Sequence, residues 1–120
     1  MRIGELAEAV GVSIRALRYY EQRGLLRARR QHNGYRDYAE SEVLRVRNIR
    51  LMIQAGLDTD SIREIEACLD QDLEHTPACT EAIALFEHRI EVVESQLAAL
   101  RDVHGRLAER LRRLRGDQAS

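Results

Sequence analysis

The chain of 120 residues has no lysine and no tryptophan, a single phenylalanine, a single proline and two cysteines. So few large rings imply a small core, which argues against an enclosed substrate cavity, and the length gives room for one small domain with an extension rather than two independent cores. No apolar run is long enough to cross a membrane, and the first residues lack the basic-then-apolar pattern of a secretory leader. A cytoplasmic protein without membrane contact is therefore expected, with Cys68 and Cys79 mostly reduced rather than joined as a structural disulfide. No Ser/His/Asp, paired-carboxylate or phosphate-loop constellation stands out, so nothing in the residues points to an enzyme.

Arginine supplies all 19 basic side chains other than histidine, a preference that genome composition explains as readily as phosphate chemistry. Its distribution is more informative than its abundance. The net charge of −1 hides a split in which residues 1–50 hold 11 arginines against 6 acids and residues 51–120 hold 8 against 14. A basic first half followed by an acidic second half fits a nucleic-acid face joined to a segment of different purpose.

The stretch Ser13–Leu26 concentrates that basic character. If Ser13 caps a helix, Arg15, Arg18, Tyr19 and Gln22 fall at i, i+3, i+4 and i+7 and share one face, while Ile14, Leu17 and Tyr20 point the other way. Gly24 suits the left-handed residue that closes a helix. Just before it, Ile3, Leu6, Ala7 and Val10 repeat with helical spacing, and the short Gly11-Val12 turn forces the two helices to pack steeply, as in a helix-turn-helix. Arg27–Tyr38 then loses the helical period, and its Asn33-Gly34 pair predicts a two-stranded wing with Arg29, Arg30, His32, Tyr35 and Arg36 near the tip.

Ser41–Gln54 resumes a helical pattern through Val43, Val46, Ile49 and Ile53 and stops at Gly56; Asp58 or Thr59 caps a further short helix with Ile62, Ile65 and Leu69 facing inward. Thr76-Pro77 reads as a cap followed by proline at the first helical position. From there Ile83, Phe86, Ile90, Val93, Leu97, Leu100, His104, Leu107, Leu111 and Leu114 alternate steps of three and four, a heptad seam that needs a partner helix, most simply that of a second copy. His104 in that seam fixes register or marks where it frays, and Gly105 weakens the helix beside it, whereas His88 faces solvent. The expected organisation is a DNA-binding domain over 1–70, a linker over 71–76, a dimerisation helix over 77–115 and a disordered tail over 116–120.

Ile3–Val12 (I-G-E-L-A-x-x-x-G-V), Arg18–Leu26 (R-Y-Y-E-x-x-G-L-L), Asn33–Tyr38 (N-G-Y-R-x-Y) and Gln54–Leu57 (Q-A-G-L), followed by the long helix, resemble in order a MerR-family transcription regulator, over nearly the whole chain. The resemblance implies a mainly α fold: a winged helix-turn-helix followed by a long antiparallel coiled-coil dimerisation helix. It further implies a nucleoid-associated homodimer on a pseudo-palindromic promoter, which kinks and untwists an over-long spacer so that RNA polymerase engages both elements. Tyr19, Tyr20, Tyr35 and Arg36 match positions that grip phosphates, with Arg50 beside them. The helix start itself favours Arg15 for base contact, with Ser13 and Arg18 close by. Ile83, Phe86, Ile90, Val93, Leu97, Leu100, Leu107 and Leu111 form the dimerisation set. For Tyr20 the competing reading is a core ring.

Cys79 matches a thiolate ligand of mercury-responsive members, but the partner cysteines of those members have no counterpart in these 120 residues. The expected alternative is a thiol-based redox or metal site drawing on Cys68, His75 and Cys79, against a purely apolar role for both cysteines. Competing functional readings are an effector-independent architectural DNA-binding factor, which the long helix disfavours, and a coiled-coil interaction module, which the helix-turn-helix and wing disfavour.

Overall fold

Two apolar faces that cannot remain in water set the first contact of the fold: Leu6 and Ala7 on one short helix, Leu17 and Tyr20 on the next, all buried. The computed structural model describes residues 1–30, 34, 36–73 and 79–116, with no account of the Arg30 side chain. Within them α1 spans Ile3–Val10 and α2 spans Ile14–Gln22. Gly11 closes α1 in the left-handed conformation (φ 79°), and its N–H donates to the Ala7 carbonyl at 2.8 Å. Ser13 caps α2 as the spacing predicts, accepting the Ala16 N–H at 3.0 Å. Ile14, the first residue of α2, stands at the edge of this packing and is exposed rather than turned inward.

Leu25 and Leu26 return the chain to the core, after which β1 (Arg29–Arg30) and β2 (Arg36–Asp37) pair antiparallel, Arg29 opposite Asp37 and Arg30 opposite Arg36. This is the expected wing, with Gly34 left-handed between its strands; His32, Asn33 and Tyr35 lie outside the described residues. Tyr38 leaves β2 fully buried, its N–H donating to the Met1 carbonyl at 2.7 Å, so the start of the chain is tied beside the wing.

Helix α3 (Ser41–Gln54) brings Val46, Ile49 and Met52 against the helix pair, and α4 (Thr59–Glu64) follows under the Asp58 cap, whose carboxylate accepts the Ser61 N–H at 2.7 Å. A 3₁₀ turn over Glu66–Asp70 completes the core with Cys68 and Leu69. Two polar residues share the buried face of α3. Arg45 donates to the Leu25 carbonyl (2.6 Å), Glu66 (2.7 Å) and Asp70 (3.0 Å); Asn48 donates to the carbonyls of Leu69 (2.8 Å) and Gln71 (2.6 Å).

Helix α5 runs from Thr80 to Leu114, about 52 Å at 1.5 Å per residue. Cys79 stands one position before it rather than inside its first turn: its carbonyl accepts the Ile83 N–H, which makes it the cap. The Thr76-Pro77 signal falls outside the described residues. The chain divides into two compact units, Met1–Leu85 and Phe86–Ser120. Buried Cys79 and Ala82 explain why the first turns of α5 belong with the first unit. The second is a lone helix whose Ile90, Leu97, Leu100, Leu107 and Leu111 are exposed, with Glu109 held below its ordinary range by hydrogen bond and charge from Arg112 and by Arg113 at 3.1 Å.

Replacing Asn48 by Ala leaves the buried Leu69 carbonyl and the part-buried Gln71 carbonyl without their donor and should cost about 1–3 kcal/mol, read as a lower urea midpoint with unchanged slope; an unchanged midpoint would remove Asn48 from the core network. Burial also pushes the Glu42 carboxyl up despite nearby Arg45, and its Oε2 is buried with no hydrogen-bond partner among the described residues. A carboxyl raised in the folded state costs stability as pH rises through its unfolded value, and nothing below it. Glu42→Gln should therefore raise the melting temperature at pH 7 but not below about pH 4, and an equal gain at both would exclude ionisation as the cause.

Candidate nucleic-acid interface

The exposed face of α2 is short of partners. Arg15 and Arg18 are exposed and make no ion pair or hydrogen bond among the described residues, and Tyr19 between them is 48 % exposed. A cation without an internal counterion is available to an external anion at little desolvation cost. Ser13 sits at the N-terminal edge of this face with its oxygen engaged as the cap.

Tyr20 is 6 % exposed, so its ring belongs to the core; burial pushes its phenol up while the charge of Arg50 pulls it down. Its ring tilts 57° against that of Tyr19, centroids 6.5 Å apart. Arg50 reaches from α3 to donate to the Val10 carbonyl at 2.9 Å, satisfying the end of α1 and placing its charge beside the helix-turn-helix turn. That guanidinium lies 3.4 Å from where a Cβ on Gly11 would stand.

The wing arginines are engaged differently. Arg29 pairs with Asp37 across the strands at 3.1 Å. Arg36 pairs with Glu21 of α2 at 2.6 Å, and the other Glu21 oxygen accepts the Tyr38 hydroxyl at 3.5 Å. Burial first and then the Glu21 charge push the Tyr38 phenol up. Glu21 thereby clamps the wing to the helix, a role the sequence reading missed; the signal was there, an acid inside the most basic stretch of the chain. Of the ten candidate DNA contacts, Ser13, Arg15, Arg18, Tyr19, Tyr20, Arg36 and Arg50 lie on or against α2 and its turn, and Arg29 on β1. Arg30 is placed only by its backbone and Tyr35 lies outside the described residues.

At the other end of this unit, Cys68 and Cys79 stand with Cα atoms 5.8 Å apart, the separation a disulfide spans, so the two expected thiols form one pair. The 3₁₀ turn brings Cys68 directly against the cap of α5, a proximity that eleven intervening positions of sequence do not reveal. The Glu81 Oε2 lies 3.4 Å from the Cys79 sulfur and 3.9 Å from that of Cys68. His75, the third expected member, lies outside the described residues. As a dithiol, Cys68, Cys79 and Glu81 offer three donor atoms within 4.8 Å of one another, a set suited to a thiophilic divalent ion. As a disulfide, the sulfurs are poor ligands.

The model of the MerR HTH family of regulatory proteins matches residues 1–68. The chain belongs to the MerR family. It is 34 % identical over 103 residues to the HTH-type transcriptional regulator ZntR of Escherichia coli strain K12, covering 85 % of this chain and 72 % of that one. It is 32 % identical over 110 residues to the mercuric resistance operon regulatory protein of Pseudomonas fluorescens, covering 91 % and 73 %. The crystal structure of the transcription regulator PbrR691 from Ralstonia metallidurans CH34 in complex with lead(II) superposes with a TM-score of 0.73 at 32 % identity, over 91 % of this chain and 83 % of that one. HiNmlR, a MerR-family regulator lacking the sensor domain and bound to promoter DNA, shares the fold at a TM-score of 0.55 and 23 % identity, over 98 % and 92 %. As a MerR-family regulator the chain is a DNA-binding transcription regulator, and among its described residues no helix is long and apolar enough to cross a membrane.

Since the Ser13 cap sets where α2 begins, Ser13→Ala should lower stability by about 1 kcal/mol in urea unfolding; no change would mean the cap hydrogen bond does not hold the helix start.

Proposed function

We propose that the chain works as a homodimer, two long helices pairing antiparallel through Ile83, Phe86, Ile90, Val93, Leu97, Leu100, Leu107 and Leu111. The dimer binds a palindromic promoter, and it activates or represses by bending and untwisting the spacer DNA before RNA polymerase. The observation that carries the DNA face is the Arg15/Arg18 pair, without a counterion among the described residues, on a capped helix to which the wing is clamped through Arg36–Glu21. One such helix reads only a few base pairs, so two must be held at a fixed spacing to specify a promoter. The exposed seam of α5 supplies the surface that holds them. HiNmlR, named as bound to promoter DNA, supports the same use of the fold.

In this reading Arg15 contacts bases, with Ser13 and Arg18 adjacent, while Tyr19, Tyr20, Arg29, Arg30, Tyr35, Arg36 and Arg50 engage phosphates through side chain or hydroxyl edge. Phosphate contacts set register and base contacts specify sequence. The signal is thiol-based redox or metal chemistry at Cys79; relatives named for mercury resistance and for a lead(II) complex support a sensing role at this end of the fold. An effector-independent architectural factor is the second reading, and the unpartnered seam of α5 speaks against it.

Footprinting of the chain's upstream region, with in vitro transcription, tests the whole proposal: protection of a palindrome across an over-long spacer is expected, and no specific footprint in any redox or metal state would overturn it. Arg15→Ala should relax discrimination at its base pair by about 1–3 kcal/mol, whereas Arg36→Ala should weaken all sequences evenly and reduce the salt slope by about one. Unchanged affinity in both variants would remove α2 and the wing from the interface. The double variant Leu97→Glu/Leu100→Glu should sediment as a monomer and lose operator binding; a surviving dimer would exclude the seam.

A further inference from the structure

The Cys68–Cys79 pair at the start of α5 lies outside the set of candidate DNA contacts. We propose that Cys68 and Cys79 form a reversible dithiol–disulfide switch, with Glu81 as its proton acceptor, that fastens the foot of α5 to the DNA-binding unit. The proposal rests on the DNA-binding reading for its output alone; the bond itself is tested without DNA.

Three observations carry it. The Cα separation of 5.8 Å lies within the span a disulfide bridges, so the bond opens and closes without displacing the backbone. Cys79 caps a helix of 35 residues, where the free N–H groups of the first turn favour a thiolate, and as a residue it is slightly less buried, 5 % exposed against 1 % for Cys68. The carboxylate of exposed Glu81 lies 3.4 Å from the Cys79 sulfur and connects it to solvent. Transcription regulators work where thiols are kept reduced, so a disulfide in one is regulatory rather than structural.

The oxidant is a peroxide. The Cys79 thiolate, its proton passed to Glu81, attacks one peroxide oxygen; the O–O bond breaks, Cys79 becomes a sulfenic acid, and the departing hydroxide takes up that proton as water. Deprotonated Cys68 then attacks the Cys79 sulfur, the S–O bond breaks, and the second hydroxide leaves as water with the Cys68 proton. Two thiols and one hydrogen peroxide give one disulfide and two waters. A dithiol reductant returns two electrons and two protons by exchange through a mixed disulfide. The same three described donors also suit a thiophilic divalent ion, so metal binding to the dithiol is the competing outcome of the test.

The full chain, reduced with dithiothreitol and freed of reductant, should lose both thiols on titration with hydrogen peroxide. It should yield a cross-linked Cys68–Cys79 peptide two hydrogens lighter, melt at a higher temperature, and recover both thiols with fresh dithiothreitol. Glu81→Gln should slow the oxidation without preventing it. Cys79→Ser and the milder Cys68→Ala should each abolish the peroxide-induced melting shift, measured against the same variant in its reduced form. Operator affinity should differ at least about fivefold between the two states. Survival of both thiols, cross-linking only between chains, or a reversible bond with equal operator affinity would each overturn the switch. So would stoichiometric zinc or cadmium binding to the dithiol with operator affinity following the metal and not the bond. Failure of every duplex to bind in both states would sink the DNA-binding reading, while thiol counting and melting would still decide the bond.

Discussion

The buried guanidinium of Arg45 is the interaction on which the DNA-binding unit turns. It holds the Leu25 carbonyl, where the chain leaves α2, and at the same time Glu66 and Asp70, the two ends of the 3₁₀ turn. Arginine's rigid fork suits this better than any other cation, since its donors diverge in one plane and stay charged at any relevant pH. The two acids are partly exposed, so their Coulombic gain is screened. What makes the arrangement costly to break is the opposite end: without its partners the buried charge would stand alone. Through this one side chain the loop after the recognition helix and the turn that carries Cys68 are positioned by the same atom group.

Electrostatics divides the arginines of the first half into those that have partners within the domain and those that have none among the described residues. Arg45 and Arg50 satisfy carbonyls, Arg23 holds Thr59 and Asp60, and Arg29 and Arg36 organise the wing. Arg15 and Arg18 do none of this. Glu21 adds a spatial constraint: by engaging Arg36 it gives the wing a fixed relation to α2. A basic composition alone would not have produced that; the acid in its midst does.

Much of this was legible in order along the chain. Local rules predicted α1, the Ser13 cap, the left-handed glycines, the wing around Asn33-Gly34 and the bounds of α3, because each depends on residues within one turn of one another. Periodicity likewise exposed the seam of α5, whose apolar residues remain uncovered in the single chain. Partnerships across the fold were not legible. Nothing local marks Arg45 and Asn48 as buried, and only carbonyls and carboxylates 20–25 positions away make their burial tolerable. Tyr20 shows the limit within a motif: its neighbours mark a DNA-facing run, yet its spacing from Leu17 places the ring inside.

The same limit explains the cysteines. Eleven positions apart, with no CxxC spacing, they carry no local signature. Their meeting follows from α3, which holds the 3₁₀ turn through Asn48 and Arg45 and so fixes where Cys68 must be when α5 begins. The start of α5 is thus specified twice, by its own cap at Cys79 and by a side-chain bond to the turn that Arg45 anchors. Backbone hydrogen bonding continues from that foot along the 35 residues of α5. Chemistry at that foot therefore acts where the Arg45 and Asn48 network and the start of the long helix meet, at Cys68.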